Sequence, residues 1–280
     1  MYFGLFLVII ITKNKNILNS FILKQIIDNF ANLKYIVGFN RYMRYAIIAA
    51  GEGARLANEG VTEPKPLVSV GGERLIDRLL RIFMDNDAEE IAVICNGIDS
   101  TVGQHLDDIC RNGLGERSVP LQYMVKSTPS SLHSFNELCT LLQDGKFVLT
   151  TVDTVFRESE FARFVSFFEN SNADGCFPVT SYVDDEKPLY VSVDDSMCIT
   201  GFHDERGDCR YVSAGIYGLG TKAKDVARRC MEQGVSRMRN FQRALVAEGF
   251  NIKAHAFTKV LDIDHTEDIR KAVEFLRQNC

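Results

Sequence analysis

Over residues 43–280 the sequence predicts one α/β domain, a parallel sheet flanked by helices and continued by a smaller antiparallel section. Three observations carry this. Residues 45–50 (Tyr-Ala-Ile-Ile-Ala-Ala) are apolar without alternation, as in a strand covered on both faces, and Gly51 and Gly53 follow where the chain must turn. Strand-like and helix-like stretches then alternate, the order that gives parallel strands joined by right-handed crossovers. No internal repeat and no Pro- or Ser-rich linker divides the stretch.

The elements follow in order. Gly71-Gly72 precedes a helical pattern in which Leu75, Ile76, Leu79, Leu80 and Phe83 share one face. Residues 90–95 form a short apolar strand ended by Asn96-Gly97, and residues 100–109 read as a helix. Residues 121–125 are the next strand and 132–142 the next helix, with Ser130-Ser131 as its N-cap. Residues 147–156 read as a strand carrying Asp153 at its end, followed by a helix over 161–168. Ligands of open α/β sheets collect beyond the carboxyl ends of the strands, so Asp153 is expected to face the same crevice as the Gly51 loop. Residues 189–193, 199–202 and 210–219 read as antiparallel strands, joined by Asp194-Asp195 and by Glu205-Arg206-Gly207-Asp208. Near the end, strand alternation would place Asp262 and Asp264 on one face. Thr266 is the expected N-cap of a helix reaching Leu276, with Glu267 and Asp268 in its first turn and His265 at its start.

The glycine loop carries the most chemistry. Glycines at 51 and 53 let backbone N–H groups approach an anion without a Cβ in the way. Arg55 offers a forked pair of donors, and Lys65, stiffened between Pro64 and Pro66, adds a second positive charge. Two cations and a set of amides suit a triphosphate. A bare G-x-G also describes an ordinary turn; the joint pattern with Arg55, Leu56, Thr62 and Pro64-Lys65-Pro66-Leu67 is far more restrictive.

In that joint pattern the chain resembles the nucleotidyltransferase family that makes nucleotide-activated sugars and related alcohols from an NTP and a phosphomonoester. The resemblance runs from about Met43 to the C-terminus. It implies a Rossmann-like three-layer α/β/α mixed sheet of the nucleotide-diphospho-sugar transferase type. It also places the nucleotide at Ala49, Ala50, Gly51 and Gly53, with Arg55 and Lys65 as the catalytic cations on its phosphates. Lys126 and Ser131 stand where the family reads the base, in place of a Gln and a Gly. Asp153 and Asp262 match the Mg2+ ligands, with Asp264 the rival of Asp262 and Val152 where the family has Gly. Gly215, within Val212-Ser-Ala-Gly-Ile-Tyr217, lies at the acceptor stretch. The family's E-K-P, whose lysine grips the acceptor phosphate, is displaced: Glu186-Lys187-Pro188 occurs one strand early, and Phe202-His-Asp-Glu205 fills its usual place. Lys187, Arg206 and Lys259 are the candidates for that cation. The implied reaction couples an NTP to a small phosphorylated acceptor, a sugar 1-phosphate first, with release of pyrophosphate. A phosphocholine- or molybdenum-cofactor-type nucleotidyltransferase and a non-catalytic nucleotide-binding relative are the alternatives.

Composition agrees with such a role. The chain is 46% hydrophobic and 25% charged, which supplies a sizeable core. Its net charge is −5, yet residues 1–44 carry six Lys or Arg against one Asp, which leaves the remainder near −10. An acidic body argues against nucleic acid as a partner. Eight cysteines without a C-x-x-C pair exclude a zinc pattern and favour a reducing, cytoplasmic setting. Residues 2–11 are apolar but too short to span a bilayer, so no stable membrane insertion is expected. Residues 1–42 read as an extension ahead of a natural start at Met43, or as an amphipathic helix over 21–36. The sequence leaves room for a homo-oligomer without specifying one.

Overall fold

A computed structural model describes residues 43–278, and the readings for the stretch before Met43 lie outside them. The described residues fall within one compact unit, Tyr42–Cys280. A ten-stranded mixed sheet runs through it. In chain order its strands are β1 (Met43–Ala49), β4 (Ala88–Cys95), β5 (Leu121–Val125), β6 (Phe147–Thr151), β8 (Gly175–Thr180), β9 (Tyr190–Val193), β10 (Ile199–His203), β11 (Tyr211–Ser213), β12 (Ile216–Leu219) and β13 (Ile252–Phe257). Two short pairs stand apart: β2 (Ser69–Val70) with β3 (Glu73–Arg74), and β7 (Thr154–Phe156) with β14 (Val260–Asp262). The order is β10-β9-β11-β8-β12-β6-β1-β4-β5, with β13 also against β8. Strands β6, β1, β4 and β5 are mutually parallel, and β12 is antiparallel to β6 and β8.

Helices cover both faces. Alternate residues of β1 divide between two cores, as a period of two requires. Tyr45 and Ile47 join the core under α2 (Leu75–Asp85), α3 (Ser100–Asn112), α5 (Glu158–Asn170) and α8 (Thr266–Arg277). Ala46 and Ile48 join the core under α4 (Ser131–Leu138), α6 (Thr221–Glu232) and α7 (Met238–Ala247). The short α1 (Ala54–Asn58) follows the glycine loop. The first core is strongly aromatic: Tyr45 stacks on Phe83 at 4.2 Å between centroids, and Phe161 stacks on Phe156 at 4.8 Å. The Tyr45 hydroxyl donates to the Asn86 carbonyl at 2.8 Å, so burying that ring leaves no unpaired polar atom.

Four details differ from the sequence reading. The stretch 147–156 is not one strand: the chain turns at Val152-Asp153, which frees β7 to pair with β14. The stretch 210–219 breaks at Ala214-Gly215, so β11 pairs with β9 and β8 while β12 inserts beside β6. Helix α4 stops at Leu138 rather than Leu142. At α8 the N-cap is His265, one residue before Thr266, because the Asp268 carboxylate accepts the backbone N–H groups of Asp264 and His265 at 3.1 and 2.8 Å.

Candidate active site

Strands β1 and β6 are neighbours, and the Val152 N–H donates to the Ile48 carbonyl at 3.0 Å. The two strands therefore end side by side, one in Gly51 and the other in Asp153. From the far end of the chain, β14 lies antiparallel on β7, with Asp262 opposite Thr154, and the Ile263 N–H donates to the Asp153 carbonyl at 3.1 Å. Asp153 is thus brought together with Asp262 and Asp264 from the far end of the chain, and Asp153 and Asp264 border the glycine loop. Asp264 lies beyond the end of β14, so strand alternation does not set its direction.

Gly53 has φ 65°, and a Cβ built there would stand 3.1 Å from the Lys65 Cβ. The glycine is needed twice, for its left-handed backbone and for the space that Lys65 fills. Pro64 and Pro66 hold Lys65 in a 3-10 turn, Lys65–Leu67, and its side chain is only 9% exposed. The Lys65 ammonium donates to Asp153 Oδ2 at 2.5 Å and to Asp264 Oδ1 at 2.7 Å, while Arg55 Nη1 donates to Asp264 Oδ2 at 2.7 Å. Burial works to lower the Lys65 ammonium, but the Asp153 and Asp264 carboxylates outweigh it and hold the group above its ordinary value. Burial likewise works to raise Asp264, and Lys65 followed by Arg55 overcomes it, so that carboxyl sits below its usual range.

Asp262 is different. Its side chain is exposed at the wall of a cavity, and no side chain hydrogen-bonds to its carboxylate among the described residues. Crowding by surrounding protein atoms, then the Asp153 and Asp264 charges, raises it above the ordinary carboxylate range.

Two cavities flank these groups and share Arg55 and Asp264. The first, about 520 Å3, is lined by Ala50, Gly51, Gly53, Lys65, Asp153 and the 128–131 loop. The second, about 260 Å3, is lined by Asp262, Ala214, Ser213, Tyr182 and the 184–188 loop. A larger cleft of about 1030 Å3 beside α2 contains none of the three aspartates and so lies apart from this chemistry. A staple closes one end of the site: the Glu59 carboxylate, at the end of α1, is bonded to His265 Nδ1 at 2.5 Å and accepts the Thr266 N–H and hydroxyl, each at 2.8 Å.

Most of the residues expected from the sequence gather here. Ala49 is buried at the end of β1, and Ser131 lines the first cavity. Gly215 has φ 70°, and a Cβ there would meet Thr154 Oγ1 at 3.3 Å, so it lets the chain pass close behind Asp153. Two stand outside. Lys126 is exposed, bonded to Glu137 Oε2 at 2.7 Å, and lines neither cavity. Lys187 is exposed too, although Glu186 and Pro188 on either side of it line the second cavity. Sequence reasoning missed Glu59 and the direct bonds from Lys65 and Arg55 to Asp264, which no local motif announces.

A family model described as nucleotidyl transferase matches residues 45–279. The chain belongs to the nucleotidyl transferase family. The glycine loop, Lys65 and all three aspartates of this nucleotidyltransferase fall inside the matched stretch. Solved structures share the fold at low identity. The inositol-1-phosphate CTP transferase of T. maritima superposes with a TM-score of 0.69 at 18% identity, covering 85% of this chain and 98% of that one. A putative glucose-1-phosphate thymidylyltransferase from Bacillus anthracis gives 0.73 at 16% identity, covering 85% and 96%. A UDP-glucose pyrophosphorylase complexed with UDP-glucose gives 0.70 at 13% identity, covering 85% and 100%.

Among the described residues no group of three or more His, Cys, Asp or Glu is arranged to hold a metal ion. Among the described residues no helix is long and apolar enough to cross a membrane.

Proposed function

We propose that the protein transfers a nucleotidyl group from an NTP to a small phosphorylated acceptor, a sugar 1-phosphate in the first instance, with Mg2+ and release of pyrophosphate. The observation that carries this is the meeting of Asp153 and Asp262 beside the Gly51–Gly53 loop, with Lys65 and Arg55 between two adjoining cavities. In this reading the first cavity holds the NTP and the second the acceptor. The three neighbours, named for inositol 1-phosphate, glucose 1-phosphate and UDP-glucose, support a sugar phosphate.

The donor set fits Mg2+. It is made of hard carboxylate oxygens, and the Asp262 carboxylate takes no side-chain hydrogen bond among the described residues, which leaves it open to a divalent cation. Asp153 and Asp262 would hold the ion, which supplies charge neutralisation on the phosphates when bound. Lys65 and Arg55 orient the phosphate chain and take up the negative charge that develops on pyrophosphate as it leaves. An acceptor phosphate oxygen forms the new bond to the α-phosphorus in line with the bond to the β-phosphate, which breaks. The attacking oxygen is already anionic at neutral pH, so no protein base is required. Gly51 and Gly53 admit the phosphates closely, and Ser131 borders the base end.

A second reading is favoured by charge. The acceptor cavity is lined by Asp184, Asp185, Glu186, Asp262, Asp264, Glu267 and Asp268 against Arg55 and Lys271, which suits a phosphomonoester with a cationic end, as in the phosphocholine type. Cysteine usage supports a cytoplasmic setting: the seven described cysteines are all free. Pyrophosphate release with each of the four NTPs, tested with glucose 1-phosphate and with phosphocholine, decides between the acceptors. Binding of NTP without release from any pair would refute turnover.

A further inference from the structure

We infer that Asn96 is a positioning residue that aims the amides of the glycine loop at the phosphates of the NTP, an assignment that rests on the function proposed above. Strand β4 runs beside β1 with Cys95 opposite Ala49, so Asn96, one residue further on, reaches the loop where β1 ends. Its Nδ2 donates to the Gly51 carbonyl at 3.0 Å and to the Ala50 carbonyl at 3.4 Å. Its Oδ1 accepts the Ile98 N–H at 3.1 Å, which fixes the orientation of the carboxamide and leaves the NH2 group facing the loop.

Holding those carbonyls sets the direction of the amides. In a planar trans peptide the C=O and the N–H point opposite ways. The Ala50 carbonyl shares its peptide with the Gly51 N–H, and the Gly51 carbonyl shares its own with the Glu52 N–H, so both N–H groups point away from Asn96. The loop stands between two cavities. Asn96 lines a small one of about 170 Å3, the nucleotide cavity of about 520 Å3 excludes it, and Gly51, Glu52 and Gly53 line both. The two N–H groups therefore face the nucleotide cavity, and neither donates to any described residue. Lys65 and Arg55, the cations of that cavity, are held by Asp153 and Asp264, so the loop amides are the donors already free to receive an anion. Glycine at 51 clears the approach but does not fix the peptide plane, and the Asn96 carboxamide supplies that constraint.

The test is calorimetric titration of the full chain with inorganic tripolyphosphate and with each NTP in Mg2+, for wild type, Asn96→Leu, Asn96→Ala and Asn96→Gln, with free Mn2+ affinity measured alongside. Asn96→Leu keeps the bulk and adds no charge while removing both donors, and Asn96→Ala repeats the deletion should leucine disturb the turn. The expected result in both is binding about ten-fold weaker for tripolyphosphate and, in step with it, for the NTP that wild type takes, with Mn2+ affinity within about two-fold. Asn96→Gln, which keeps the carboxamide on a longer arm, is expected to recover part of the loss. A bare tripolyphosphate has no base, so it reports the phosphate end alone. Unchanged tripolyphosphate affinity in the deletions, an equal loss of Mn2+ affinity, or a wild type that takes no tripolyphosphate would overturn the assignment. A wild type that binds tripolyphosphate and NTP but releases no pyrophosphate with any acceptor sinks the proposed reaction and leaves the titration to judge Asn96.

Discussion

Lys65 and Asp264 are 199 residues apart in sequence, and the ammonium of one donates to the carboxylate of the other at 2.7 Å. The same ammonium holds Asp153, so a single buried cation occupies the space between carboxylates brought by β6 and β14. Under the proposed function a divalent ion and Lys65 would compete for Asp153, and nucleotide binding would move Lys65 from carboxylate to phosphate.

That competition has a measurable consequence. Lys65→Met is expected to bind free Mn2+ several-fold more tightly than wild type in a paramagnetic resonance titration, since a competing positive charge is gone. Its turnover is expected to fall by roughly 10²–10³-fold, the scale of losing one charged group that stabilises a transition state. Unchanged metal affinity would show that Lys65 does not stand in the metal's place.

Gly53→Ala tests the loop. The substitution forces a left-handed φ on alanine and puts a methyl group 3.1 Å from the Lys65 Cβ. A loss of about 1–2 kcal/mol in stability is expected from the backbone alone. Denaturant midpoints report that part, and pyrophosphate release reports the displaced lysine. Gly51→Ala, with open space at its Cβ, is expected to cost the fold less.

The Glu59–His265 staple gives stability a pH dependence. The His265 hydrogen bond draws Glu59 down to about 2, and the same bond raises His265 above its ordinary 6.5. The Glu59 contribution is present above its unfolded value of 4.5 and is lost as pH falls toward 2. The His265 contribution is complete below 6.5 and fades as pH rises through the higher folded value. Thermal midpoints of wild type are expected to decline above about pH 6.5 more steeply than those of His265→Asn. Parallel curves for the two proteins would contradict the staple.

Much of the parallel half of the fold was legible because β1, β4 and α2 declare themselves through local periodicity. Tyr45, Ile47 and their alternating neighbours need no distant partner to be recognised as a strand. Breaks within apolar runs were not legible. Ala214-Gly215 reads as strand interior and the separate strand after Asp153 is unannounced, and only the pairing of β12 with β6 and of β7 with β14 shows why the chain must turn at each place. In the site, the rule that ligands gather beyond strand ends located Asp153 beside Gly51. The bonds from Arg55 and Lys65 to Asp264 depend on loop closure, and the commitment of Lys126 to Glu137 depends on where α4 falls after β5. Neither is written in local pattern.

The central claim is that Asp153 and Asp262 jointly serve one Mg2+ at the NTP phosphates. Its most direct test is pyrophosphate release by wild type and by Asp153→Asn, a substitution that keeps the shape and removes the charge, with Mg2+ and again with chelator. The expected result is release by wild type that chelator abolishes, and a loss of about 10³-fold or more in Asp153→Asn. An Asp153→Asn protein as active as wild type, or wild-type release untouched by chelator, would contradict it.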